Sequence, residues 1–131
     1  MDYQVYISTP KNTPASAPKK TELELTRGFL KGGWIYFPYG PAGTLHCQLW
    51  LADTQIAPAN RGASYNLDDA VAPLKIDFLL DEPPFILTVR TWNTSTENDH
   101  ALNLCVFLQE FPKMKTTLKK TFSETTAGET L

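Results

Sequence analysis

Large apolar side chains alternate with polar ones along much of the chain between residues 22 and 112. In residues 45–51 every second side chain is apolar, and residues 74–78 show the same alternation. Because neighbouring side chains of a strand point to opposite faces of a sheet, this period of two predicts strands with one buried face. Residues 85–92 and 102–108 are the two most apolar runs, so we expect them at the centres of sheets.

Turn-forming residues separate these runs. Glycine, proline, asparagine and aspartate concentrate in residues 38–43, 58–62, 81–84 and 93–99, where they predict turns. The pattern contains about seven or eight short runs and no convincing helix. It predicts an all-β fold, namely a single β-sandwich or jelly roll of about seven or eight strands.

Residues 1–21 differ from the rest and predict an extended N-terminal arm. Residues 3–7 alternate large β-forming side chains with polar ones and predict a short strand. Residues 9–21 contain three prolines and no aliphatic side chain larger than alanine. Such a segment buries too little surface to offset the entropy lost on ordering, so we expect it to be an extended linker.

Residues 113–131 predict a second arm, rich in threonine and lysine. Its large apolar side chains are few, and Met114, Leu118 and Phe122 are spaced four apart. That spacing is typical of one face of a short amphipathic helix, whereas the six threonines of the segment disfavour a helix.

Charge follows the same division into an arm of residues 1–21, a β-sandwich body of residues 22–112 and an arm of residues 113–131. Each arm carries a formal charge of +2 and the body carries -6, which gives the net charge of -2. A length of 131 residues with 42% hydrophobic and 20% charged residues is typical of one globular domain. An acidic body of this kind argues against a general nucleic-acid-binding protein.

Signals for membranes and secretion are absent from the sequence. No apolar run approaches the roughly 18 residues of a membrane span. The first residues lack a basic stretch followed by an apolar run, so no secretion signal is predicted. We therefore expect synthesis in the cytoplasm.

The two cysteines, Cys47 and Cys105, each lie inside an apolar run. Neither has a second cysteine or a histidine at the spacing of a metal site, so we interpret both as small buried side chains. A disulfide between the two strands is an open alternative at this stage. Two isolated cysteines are typical of proteins in a reducing compartment.

The sequence offers no set of residues that predicts catalysis. Glycine-rich phosphate loops and the nucleophile elbow of hydrolases are missing. A metal site needs about three protein ligands, and His46 and His100 are the only histidines. The carboxylate pairs at residues 68–69 and 81–82 are interpreted as solvated ends of strands. We expect no catalytic residue, no cofactor and no metal.

Trp50 is the most informative aromatic residue. It shares the polar register of its predicted strand with His46 and Gln48, so we expect it to face outward. An outward tryptophan on a polar face is either a platform for a ligand such as a sugar or an anchor of a protein interface. Of these two interpretations we prefer the interface anchor.

Several short stretches of the body are similar to a known group of proteins. Residues 37–43 form a Phe-Pro-x-Gly-x-Ala-Gly loop, Trp92-Asn93 opens a turn, and Asn98-Asp99-His100 precedes the last strand. Together they resemble small jelly-roll proteins of tailed bacteriophages that decorate or cement the capsid exterior, often as trimers. The resemblance covers residues 26–108 and implies a structural role without catalysis.

The resemblance and the two arms together give the functional hypothesis. It is a non-enzymatic virion protein on the capsid exterior, a homotrimer that binds the major capsid protein through its arms and stabilises the shell. Neither nucleic acid nor a membrane is an expected partner. The alternative is a carbohydrate-binding β-sandwich module, for example on a tail or fibre, with a glycan as its ligand. The candidate partner-binding residues are Tyr3, Val5, Tyr6, Ile7, Lys19, Lys20, Trp50, Met114, Leu118 and Phe122.

Overall fold

Nine strands and their connecting loops make up residues 1–111, the part of the chain that the computed structural model describes. No helix occurs in this part. The strands are β1 (Asp2–Thr9), β2 (Lys19–Glu24), β3 (Gly28–Phe37), β4 (Leu45–Leu51), β5 (Thr54–Ala57), β6 (Ala70–Leu74), β7 (Phe78–Leu80), β8 (Ile86–Asn93) and β9 (His100–Glu110).

The strands form two antiparallel sheets that pack face to face. One sheet has the order β1-β9-β3-β6, with β7 also paired to β3, and the other has the order β2-β8-β4-β5. The strands pair as they would in one long folded hairpin: β1 with β9, β2 with β8, β3 with β6 and β4 with β5. This hairpin is wound up so that β9 also pairs with β3 and β8 also pairs with β4. This order is that of a jelly roll, so the predicted fold class is confirmed, with nine strands in residues 1–111 rather than seven or eight.

The core lies between the two sheets and is built by the alternation read from the sequence. On β8 and β9 core-facing side chains alternate with outward ones, and the core-facing Leu87, Val89, Leu102 and Leu104 each have 0% exposure. Each of these strands has a neighbour on both sides in its sheet, as predicted for the most apolar runs. These central strands thus contribute many of the fully buried apolar side chains, whose burial is the main stabilising contribution to the fold.

The N-terminal segment is part of the sandwich, which corrects the prediction of an arm spanning residues 1–21. β1 pairs with β9 along its whole length, and Ile7 is 1% exposed. The Oγ1 atom of Thr9 donates to the Oγ1 atom of Thr91 at 2.7 Å, which ties one sheet to the other inside the core. The predicted strand at residues 3–7 is therefore confirmed, but its partner is the chain's own last strand.

The proline-rich connector of residues 10–18 crosses from one sheet to the other. The backbone N–H groups of Asn12 and Thr13 donate to the carbonyls of Ser95 and Asn93, at 2.8 and 3.0 Å. A connector has only to bridge two strands that the core already holds, so it needs no apolar side chains of its own. The place of this segment depends on its hydrogen bonds to residues 93 and 95, which its own composition does not indicate.

Gly33 marks an irregularity in β3, where the register with β9 shifts between Leu30 and Gly33. The backbone there has a φ of 155°, and a Cβ atom at this position would overlap the carbonyl oxygen of Cys105 on β9. Glycine is required because the two backbones approach too closely for any side chain.

Candidate functional site

The candidate residues of β1 divide between the two faces of their sheet. Ile7 is buried, and Tyr3 and Val5 are half-buried and pack against the core. Tyr6 points the other way and is 66% exposed. Ile7 is thus occupied by the chain's own core, which corrects its assignment as a partner-binding residue, whereas Tyr3 and Val5 are only partly covered by that core.

The candidate lysines lie at the start of β2, at the edge of the other sheet. Lys19 and Lys20 are exposed, and the Nζ atom of Lys19 donates to the backbone carbonyl of Ser8 at 2.6 Å. Lys19 therefore helps to hold β1 and β2 together. The remaining candidates, Met114, Leu118 and Phe122, lie outside the described residues.

The outward side of the five-stranded sheet carries a row of large side chains at adjacent register positions. Tyr6 of β1 lies opposite Asn103 of β9, Asn103 opposite Tyr36 of β3, and Tyr36 opposite Val71 of β6. Tyr6, Tyr36 and Val71 are 66%, 37% and 55% exposed. Trp34 lies in the adjoining row, next to Cys105.

Trp34, Tyr36, Val71 and Asn103 line a shallow groove together with Gln4, and we call the surface made by this groove and the neighbouring Tyr6 the aromatic face. The groove measures about 430 Å³. On the other sheet, the outward positions of β2 are Lys20, Glu22 and Glu24, all exposed and all charged. The outward positions of this edge strand are thus all charged, whereas those of the aromatic face include two tyrosines, a tryptophan and a valine. Its residues are Gln4, Tyr6, Trp34, Tyr36, Val71 and Asn103.

Trp50 lies on the outward side of β4 and is fixed in place by two neighbours. The guanidinium carbon of Arg90 on β8 lies 3.8 Å from the centroid of the indole, a close cation–π contact. The indole Nε1–H donates to the Oε1 atom of Gln48 at 3.1 Å. The side chain is half-buried, so part of it remains available to a ligand.

A cleft of about 500 Å³ opens beside Trp50, and we call it the Trp50 cleft. Its wall is held in place by Gln55, whose Nε2 donates to the carbonyls of Pro58 and Ala63 at 2.7 and 3.0 Å. The Oε1 atom of the same side chain accepts from the backbone N–H of Gly62 at 3.2 Å. The residues that line the cleft are Trp50, Asp53, Thr54, Gln55, Ala59 and Arg61.

Sequence reasoning identified Trp50 but missed the polar members of its cleft. Asp53 and Thr54 lie at the hairpin between β4 and β5, and Arg61 belongs to a loop that folds back over β5. The only local signal was the charged turn that follows Trp50 by three residues. No sequence pattern places Arg61 beside that turn, because the loop geometry depends on Gln55.

His46 lies on the outward side of β4, as predicted, and its side chain contacts two neighbouring side chains. Its ring stacks on Trp92 at a centroid distance of 5.0 Å, and its Nδ1 atom is 2.8 Å from the Oγ atom of Ser64. Burial lowers the pKa of His46 below the ordinary value of 6.5, because it disfavours the charged ring. Residues 1–111 contain no group of three or more His, Cys, Asp or Glu side chains placed to hold a metal ion.

Cys47 and Cys105 are both free and both buried. Cys47 belongs to the core between the sheets, whereas Cys105 lies in the outward register of β9, beside Gln4 and Trp34. The disulfide left open from the sequence is not formed. Burial raises the pKa of both thiols, and the nearby charge of Asp2 adds to the effect at Cys105.

The motifs that carry the bacteriophage resemblance hold loops together. One carboxylate oxygen of Asp68 accepts from the backbone N–H groups of Gly40 and Ala42, at 2.8 and 2.9 Å, and so closes the 37–43 loop. Asp68 is therefore more than the solvated strand end expected from its sequence. It is half-buried, and the loop folds around its side chain.

Asn93, the second residue of the Trp-Asn turn, is fully buried with 0% exposure. Its Nδ2 donates to the carbonyls of Thr9 and Asn98 at 3.2 and 3.0 Å, and its Oδ1 accepts from the N–H of Ser95 at 3.0 Å. A single side chain thus joins β1 to the turn that leads into β9.

In residues 1–111 no helix is suited to cross a membrane. Comparisons with models of known protein families and with curated proteins found no match to this chain. The function is therefore inferred from the two surfaces described above, the aromatic face and the Trp50 cleft.

Proposed function

We propose that this protein is a non-enzymatic structural subunit of a virion, which binds the capsid exterior and stabilises the shell. The aromatic face is the surface that contacts the major capsid protein. The sequence alone predicts binding through the arms, but β1 is needed in the sandwich, so we assign the contact to the aromatic face instead.

The observation that carries the proposal is the outward row of Tyr6, Tyr36 and Val71. Large aromatic and aliphatic side chains on a sheet surface are costly to leave in water and are enriched at the centres of protein interfaces. Tyrosine buries much area with few rotatable bonds, so ordering it at an interface loses little entropy. Gln4 and Asn103 on the same surface supply hydrogen-bonding groups that can fix the register of a partner.

The resemblance to decoration proteins supports the choice of partner. Those proteins bind an existing shell, and the outward side of the five-stranded sheet offers an exposed surface for such a contact. The C-terminal residues 113–131 remain a candidate second contact under this proposal.

The experiment mixes the purified full-length protein with empty shells of the source virus, sediments the shells and measures the bound fraction. Tyr6→Glu and Val71→Glu each place a charge on the aromatic face, and Tyr39→Glu is the matched control because Tyr39 is 84% exposed and lies off that face. We expect the two face variants to weaken binding about tenfold or more, which corresponds to about 1.4 kcal/mol. Tyr39→Glu should bind like the parent protein.

Failure of the parent protein to sediment with shells would overturn the proposal. Equal binding by all three variants would reject the aromatic face as the contact. Sedimentation analysis of the free protein tests the proposed homotrimer, which has three times the 14.7 kDa mass of the chain.

A further inference from the structure

We infer that the Trp50 cleft is a carbohydrate-binding site whose ligand is a neutral oligosaccharide. The cleft belongs to the four-stranded sheet, whereas the aromatic face belongs to the five-stranded one. One subunit can therefore use both surfaces independently, and the sugar site does not depend on the proposed contact with the shell.

The first argument is the preorganised aromatic platform. Arg90 stacks on Trp50, and the Nε1 bond to Gln48 fixes the rotation of the indole. Trp50 lines the cleft whereas Arg90 does not. The weakly polar C–H face of a pyranose packs well on such a surface, and a fixed indole loses little entropy when it binds.

The second argument is the set of polar groups around the platform. Among residues 1–111, the side chains of Asp53, Thr54 and Arg61 make no hydrogen bond or ion pair with another described residue. They offer acceptors, donors and a hydroxyl to a ligand, and these are the groups that bind the hydroxyls of a sugar.

The third argument is charge balance. One carboxylate and one guanidinium line the cleft, so its charges offset each other. An anionic ligand would meet Asp53 and a cationic ligand would meet Arg61, whereas a neutral polyol can bond to both. A purely apolar ligand would leave both charged groups without partners, at a cost in binding energy.

The fourth argument is the rigidity of the wall. Gln55 makes four hydrogen bonds to the loop of residues 58–63, which carries Ala59 and Arg61. The cleft therefore has a defined shape before a ligand arrives. A volume of about 500 Å³ is within the range of small-molecule sites.

The experiment screens the full-length protein on an array of neutral and acidic oligosaccharides and titrates the best ligand by calorimetry. Trp50→Ala should abolish detectable binding. Because this change also removes the contact with Arg90, Asp53→Ala and Arg61→Ala provide independent tests at exposed positions. Each should weaken binding about tenfold, since each removes hydrogen bonds to the sugar.

Matched controls are Glu97→Ala for the carboxylate and Lys75→Ala for the cation, since both residues are exposed and lie outside the cleft. Both should bind within about twofold of the parent protein. Tyr6→Glu should also bind sugar normally, which separates this inference from the proposed contact with the shell.

Three results would overturn the inference. The first is an array on which no oligosaccharide binds. The second is binding that survives Asp53→Ala and Arg61→Ala unchanged. The third is binding restricted to acidic oligosaccharides and strengthened by Asp53→Ala, which would assign the cleft to anions.

Discussion

Replacing Asn93 with alanine should destabilise the protein more than any other single asparagine substitution in residues 1–111. The side chain is fully buried and makes three hydrogen bonds, two as donor and one as acceptor. Each contributes about 1 kcal/mol net, so their loss removes about 3 kcal/mol. The buried carbonyl of Thr9 also loses a donor, which adds to the loss.

The free energy of unfolding is measured by urea titration followed by tryptophan fluorescence. A loss of about 3 kcal/mol shifts the midpoint by about 1.5 M when the urea dependence is about 2 kcal/mol per M. Such a loss is a large part of the roughly 5–15 kcal/mol that stabilises a domain.

Asn98→Ala is the matched control. Asn98 lies in the same turn, is exposed, and contributes its backbone carbonyl rather than its side chain to the bond with Asn93. We expect a change below about 0.5 kcal/mol for this control. If Asn93→Ala cost less than about 1 kcal/mol, or no more than the control, the assignment of Asn93 as the link between β1 and the turn would be refuted.

Three further substitutions test other features. Gly33→Ala should cost more than about 2 kcal/mol in the same titration, because the new Cβ overlaps the backbone of β9, and a loss below about 1 kcal/mol would contradict that overlap. Asp68→Ala should cost about 1–2 kcal/mol through the lost bonds to the 37–43 loop, with Asp53→Ala as a control that changes little. The lowered pKa of His46 means that the unfolded chain binds a proton more readily, so stability is full above pH 6.5 and falls as the pH drops from 6.5 toward the folded-state value. His46→Gln should lose less stability than the parent protein between about pH 7.5 and pH 5.5, and an equal loss would show that His46 is not the group responsible.

The strands of the body could be predicted because the alternation of apolar and polar residues lies within each strand's own sequence. In β4 and β8 the buried positions alternate with outward ones, and that alternation is visible without any knowledge of the partners. The outward position of Trp50 followed from the same rule. The physical cause is that a strand's two faces are set by its own backbone.

The place of β1 could not be predicted in the same way. It pairs with β9, whose residues lie about a hundred positions further along the chain. The connector that joins β1 to β2 contains no large apolar side chain that would indicate its place in the fold. The contact of Arg90 with Trp50 depends likewise on the register between β4 and β8. The position of Arg61 depends on the hydrogen bonds of Gln55.

The pairing of the first strand with the last has a consequence for biosynthesis. The amino group of Met1 donates to the carbonyl of Leu108 at 2.7 Å, across 107 residues of sequence. While the chain is being synthesised, β1 stays unpaired until its partner β9, at residues 100–110, has been made. This sheet can therefore form completely only after β9 has been made, and the large loops that must close make its folding slow.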